Sequence, residues 1–297
     1  MNRLKESLRT AAVAVPLFLA GCIAYTPGAV PSPFDPKPSP TQPAQKGETP
    51  QLLSNEQVVL EEALRLGLDS NENERMLWQR SGYKFDPLFA EKFPTPEAII
   101  TQADIRIHTV LELMYNSENR IFKKAALDFA NLRAVGRANF YLRPDKEHFE
   151  RQSSNMETSP QIVDYKIAGY IHLSARETLN AKSDIILAIE LSHEIEHIRN
   201  IVQAADVFDR SLTTEEKFDK IEEQRNNRQA FLAEEARGYA EQAGAYIIAY
   251  GHGYRGAVDT SHERLAAAFI KSGKRKDSKE WLAFVEYYMT LVSQTGS

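Results

Sequence analysis

From Ser183 to Val202 the chain reads SDIILAIELSHEIEHIRNIV, and this stretch restricts the possible folds more than any other. Ser183 is a good N-cap and Asp184 sits in the first turn, so the pattern predicts a helix over roughly 183–203. Ile185, Ile186, Ile189, Ile195, Ile198, Ile201 and Val202 spread apolar surface over much of its circumference. A helix of that kind cannot lie on a surface; other elements have to cover it on several sides. A chain of 297 residues has ample material to do so.

The covering elements are mostly helical. Ser54 and Gln57 form a capping-box pattern opening a helix through about Arg65. Thr95-Pro96-Glu97 supplies a cap, a first-position proline and an acidic first turn, continued by Ile99, Ile100, Ile105, Val110, Leu111 and Leu113. Residues 118–134 read as a helix closed by Gly136. The pattern then changes: ANFYLR (138–143) and QIVDYKIAGYIHL (161–173) are rich in β-branched and aromatic residues, with a loop-like polar stretch between them. Helices are expected again over 217–250, stopped by Gly251, over 278–294, and more briefly over 261–271. The expected class is α+β, predominantly helical, with a small sheet preceding the core helix.

The first fifty residues do not fit that body. Arg3, Lys5 and Arg9 precede the apolar run AAVAVPLFLA, which is too short to span a bilayer and reads as a signal peptide over residues 1–21. It ends in Leu19-Ala20-Gly21-Cys22, and this LAGC resembles the lipobox of bacterial lipoproteins. That resemblance implies a lipid anchor on Cys22 and a place in the cell envelope. With Ile23 rather than an aspartate after the cysteine, it implies the outer membrane, facing the periplasm. Residues 22–50 carry a proline every few positions and are expected to form an extended tether. Cys22 is the only cysteine, so no intramolecular disulfide is possible and the core must hold by packing. The net charge of −5 gives no reason to expect a nucleic-acid partner.

On the core helix, His193 and His197 stand four residues apart and project from one face. That spacing lets two imidazole nitrogens reach one tetrahedral Zn²⁺ at about 2.0–2.1 Å. Glu194 lies about 100° round the helix, free of the ligand role and available as a base. A catalytic zinc needs a third protein ligand and an open position. The metzincin arrangement fails, because Asn200 and Gln203 stand where its glycine and third histidine belong.

A later helix offers FLAEEARGYAEQAGAY, Phe231 to Tyr246, whose small residues permit close packing. Its run Glu235-Ala236-Arg237-Gly238-Tyr239 resembles the second-helix pattern of gluzincin zinc metallopeptidases, over about residues 160–245 in all. The resemblance implies a zincin-like core of the minimal gluzincin kind in residues 136–297. That core joins a small sheet, the HExxH helix and a glutamate-bearing helix, with extra helices at both ends, including a helical region over 51–135. It implies one Zn²⁺ held by His193, His197 and Glu235, with Glu234 as the alternative third ligand, and Glu194 activating water against a peptide bond. Tyr239, His252 and Tyr254 are candidates for stabilising the oxyanion. The segment Tyr165–Leu173 is expected to form the sheet edge that pairs with an extended substrate, with His172 on it an ordinary strand residue. Glu222, Glu223 and Glu241 read as solvated acids. The separation of His197 from Glu235 is longer than in the tightest members, and 210–228 reads as an inserted solvated helix or loop. The expected function is thus a membrane-anchored metallopeptidase of the envelope. The alternatives are an anchored scaffold with a silent or structural zinc site, and a zinc hydrolase of a non-peptide amide.

Overall fold

The computed structural model describes residues 53–79, 86–144, 156–255 and 260–295, all within one unit spanning Leu52–Ser297. The expected signal peptide, Cys22 and the proline-rich tether lie outside the described residues.

The core helix forms as expected and runs one turn further, from Asp184 to Val207, capped by the Ser183 hydroxyl on the Ile186 amide. With the helices before it numbered α1 (Asn55–Arg65), α2 (Glu72–Gln79), α3 (Pro96–Asn116), α4 (Arg120–Ala134) and α5 (Ala175–Asn180), it is α6. Sixteen of its residues are buried, so it needs cover on every side. A three-stranded sheet, α4 and α8 (Arg228–Gly251) provide it. The capping boxes and proline starts read from the sequence for α1 and α3 are present, because each is a contact within four residues. Helices α7 (Thr214–Asn226), α9 (Thr260–Lys271) and α10 (Lys279–Thr295) complete the shell. The N-terminal helices do not form a core of their own. Val59, Trp78, Ile107 and Phe122 share one apolar cluster with Ile195, Ile198, Tyr246 and Trp281.

The sheet corrects two expectations. The stretch read as loop before residue 161 holds the start of a strand: β2 (Met156–Val163) and β3 (Lys166–Ser174) fold back at Asp164 and Tyr165, both at positive φ. Two such residues make the mirror-image turn that suits strand twist, and aspartate tolerates it. The strand order is β1-β3-β2, with β1 (Ala138–Arg143) parallel to β3 and β2 antiparallel to it. The segment expected at the edge, β3, is therefore central, and β2 is an edge. Pro160 hid β2 from the sequence reading, yet a proline without an N–H is tolerated on an edge strand.

The expected helix over 217–250 is also two. Asn227 leaves the helical path and its side chain accepts from the amides of Gln229 and Ala230, ending α7 and capping α8. Helices α2 and α5, and a 3-10 turn at Phe89–Lys92, were not anticipated. They are short, with little periodicity to read. Gly169 lets the sheet lie directly on α6, since a Cβ there would fall 3.0 Å from the Ile198 Cα.

Candidate metal centre

His193 and His197 lie on the face of α6 that meets α8, each 6% exposed. Their Nε2 atoms are 2.8 Å apart. From α8, Glu235 brings its carboxylate to 3.5 Å from His193 Nε2 and 3.7 Å from His197 Nε2. The three residues are the only described group able to close on one ion, with ligand atoms all within 4.8 Å of one another. Two ligands on a tetrahedral zinc ion stand about 3.3 Å apart; the two Nε2 atoms are closer than that and the Glu235 oxygens slightly further.

The far side of each imidazole is also held. His193 Nδ1 lies 3.2 Å from Gln242 Oε1, and His197 Nδ1 lies 2.9 Å from Glu234 Oε1. An acceptor at Nδ1 places the proton there and turns the Nε2 lone pair inward, the usual support of a metal-binding histidine. The sequence posed Glu234 and Glu235 as rivals for one role. In the structure they take different ones, because an imidazole has a nitrogen on each side and adjacent residues reach opposite sides. Gln242 was missed, although it lies seven residues from Glu235 and hence on the same helix face.

Two inward lone pairs at 2.8 Å repel unless a cation lies between them. Without a metal, that cation is a proton. Burial alone pushes the His197 pKa down, but the charge of Glu235, the hydrogen bond and charge of Glu234, and Glu194 together raise it from 6.5 to about 9. Burial pushes the Glu234 carboxyl up, yet the hydrogen bond from His197 and then the charges of His197 and Arg225 hold it below its usual range. The sign for stability follows: this proton stabilises the metal-free fold fully below about pH 6.5, and its contribution fades as pH rises through about 9. A zinc ion bound at the trio would have to displace it. Zinc affinity is accordingly expected to climb about tenfold per pH unit between pH 7 and about 9 and to level off above. Chelator competition across that range checks this, and a flat profile would count against it.

Glu194 accepts from the Thr158 hydroxyl of β2 at 2.6 Å and is near enough for its charge to act on His197. Thr158 is itself buried. Glu196, the other acid of the motif, is bound by Arg199 and has no part in the centre. Tyr239 meets the His193 ring edge-on at 4.5 Å and abuts Tyr288 in turn. His252 caps the end of α8, seventeen residues beyond Glu235, or about 25 Å along the axis. Tyr254 lines a small apolar cavity with Ile185, Ile189 and Tyr246 near the start of α6. Neither is brought to the trio. His172 is an ordinary strand residue, bonded to the Ser159 hydroxyl.

Gly238 sets how closely α8 approaches. A Cβ there would stand 2.8 Å from Cδ2 and Nε2 of His193. Gly238→Ala favours the helix but forces the imidazole aside. Zinc affinity is expected to fall at least about tenfold with the thermal midpoint little changed. An unchanged affinity would mean that the ring is not where the ion binds.

No protein-family model, no curated protein and no solved structure matches this chain.

Proposed function

We propose that the chain is a zinc hydrolase with a zincin-like core of the gluzincin kind, tethered by a lipid on Cys22 and cleaving peptide bonds in the cell envelope. One observation carries this reading: two Nε2 atoms and the Glu235 carboxylate converge while both Nδ1 atoms are engaged by Gln242 and Glu234. A surface pair of histidines needs no such support. The donor set of two imidazoles and one carboxylate is that of a catalytic zinc site, which leaves a fourth position open.

Zinc, when bound, supplies a Lewis acid for the scissile carbonyl and acidifies the attacking water. The remaining work falls to this chain's residues. Glu194, oriented by Thr158, takes one proton from the water as its oxygen bonds to the carbonyl carbon. The same carboxyl delivers that proton to the leaving nitrogen as the C–N bond breaks. Gln242 and Glu234 hold the imidazoles to their tautomers throughout. Tyr239, packed on His193, is the remaining candidate for a donor to the oxyanion.

The edge of β2 bears on the substrate. Pro160 offers no N–H, and the Thr158 carbonyl already accepts from Arg225 at 2.7 Å. These two positions share one side of the strand's backbone, so a long substrate strand finds its ladder interrupted there. That favours short peptides, and it gives weight to a second reading in which the bond cleaved is a non-peptide amide.

Elemental analysis of the full-length protein tests the centre. One zinc per chain is expected in the parent and none in His193→Ala or Glu235→Ala. Glu234→Ala is expected to retain zinc with an affinity about 10–100-fold weaker. A parent chain without zinc, or a Glu235→Ala variant that keeps it at full strength, would remove the basis of the reading.

A further inference from the structure

Arg225 is the last arginine of α7, the helix that the sequence left as a solvated insertion. Most of α7 fits that description, with Glu215, Glu216 and Glu223 exposed, while Phe218 and Ile221 pack on Ile167, Ile201 and Ala205. Arg225 does not fit it. Its side chain is drawn inward, and Nη2 donates to the Thr158 carbonyl at 2.7 Å. Nη1 is buried and has no hydrogen-bond partner among the described residues. A guanidinium presents donors in a fixed fork, so a buried free arm leaves an attraction to any acceptor near it. The charge of Arg225 acts on Glu234, the carboxylate that holds His197.

Each neighbour of Arg225 supports a different part of the centre. Thr158 holds the Glu194 carboxylate from β2. Glu234 holds the far nitrogen of His197 from α8. The two supports come from elements far apart in the chain, and α7 packs on both. We propose that Arg225 is a positioning residue of the metal centre, a strut by which α7 fixes the strand that orients the base and the acid that orients the second histidine. It touches neither ion nor substrate, so it is not a catalytic residue. Helix α7 is then part of the working site rather than an appendage.

The inference rests on the metal reading, and its test separates the two. Zinc affinity of the full-length protein is measured by chelator competition, and the visible spectrum of the Co²⁺ form reports ligand geometry. Arg225→Gln is expected to weaken zinc binding about tenfold and alter the Co²⁺ spectrum, as loss of an outer support does. Arg225→Lys keeps the charge and one donor, and should stay within about threefold of the parent. The Thr158 contact bears on the base and not on a ligand, so Arg225 reaches the ligands only through Glu234, and adding Arg225→Gln to Glu234→Gln should cost no further affinity. If Arg225→Gln does not fold, Arg225→Met, which keeps the aliphatic stem, is read by the same measure. A parent that binds no zinc sinks the metal reading and the strut with it. A parent that binds zinc, with the Gln or Met variant matching its affinity and spectrum, sinks the strut alone. A loss of the same size in both backgrounds also overturns it.

Discussion

Glu194→Ala is expected to keep one zinc per chain while hydrolysis of a quenched-fluorescent peptide library falls about 10²–10⁴-fold. The pairing of those outcomes is the point. Glu194 is held by Thr158 and is not one of the three converging ligand residues, so its removal takes no ligand from the centre. What it takes, on the proposed reading, is the group that moves a proton from water to the leaving nitrogen. His193→Ala should do the opposite and lose hydrolysis through loss of the ion. Thr158→Val, which keeps shape and removes only the hydroxyl, should fall between, with zinc retained and a smaller loss of rate. A Glu194→Ala chain that cleaved as fast as the parent would return the base to another residue.

The second large effect lies far from the centre. Arg106 of α3 is buried, and each of its three nitrogens donates: Nε to Asp184 Oδ1 at 2.9 Å, Nη1 to the carbonyls of Thr178 and Leu179, and Nη2 to the carbonyl of Ala181. These acceptors are the end of α5 and the first residue of α6, so one side chain fastens the start of the core helix. Arg106→Ala leaves the Asp184 charge and three carbonyls in a low-dielectric interior. A loss of about 3–5 kcal/mol of unfolding free energy is expected by denaturant titration, as when one partner of a buried pair is removed. Asp184→Asn keeps an acceptor for Arg106 and should cost less. Were Arg106→Ala to cost under about 1 kcal/mol, water would have to reach those groups.

Several features of the site were legible in the sequence for a local reason. His193 and His197 share a face because four residues is about one helical turn, and nothing beyond the helix is needed to know it. The cap at Ser183 and the isoleucines made that helix certain to be buried, and both hold. Both glutamates of the small-residue helix reach the histidines, Glu235 beside the two Nε2 atoms and Glu234 at His197 Nδ1. The parts not read were those made by distant partners. Thr158 is 36 residues from Glu194 and lies in a polar, proline-bearing segment that does not look like a strand. Arg225 was counted among solvated charges because a charged helix gives no sign of which single residue turns inward.

The sequence by itself determined α1, α3, α4 and α6, the caps of α1, α3 and α6, the shared face of the two imidazoles and the lack of any disulfide within the chain. Each depends on backbone geometry over a few residues or on composition alone. Only the tertiary structure decided that β3 is central and β2 an edge, that Glu234 and Glu235 serve opposite nitrogens, and that α7 packs against β2 and α8. Those outcomes depend on which remote segments pack together, and packing is a property of the assembled surfaces rather than of any one stretch of chain.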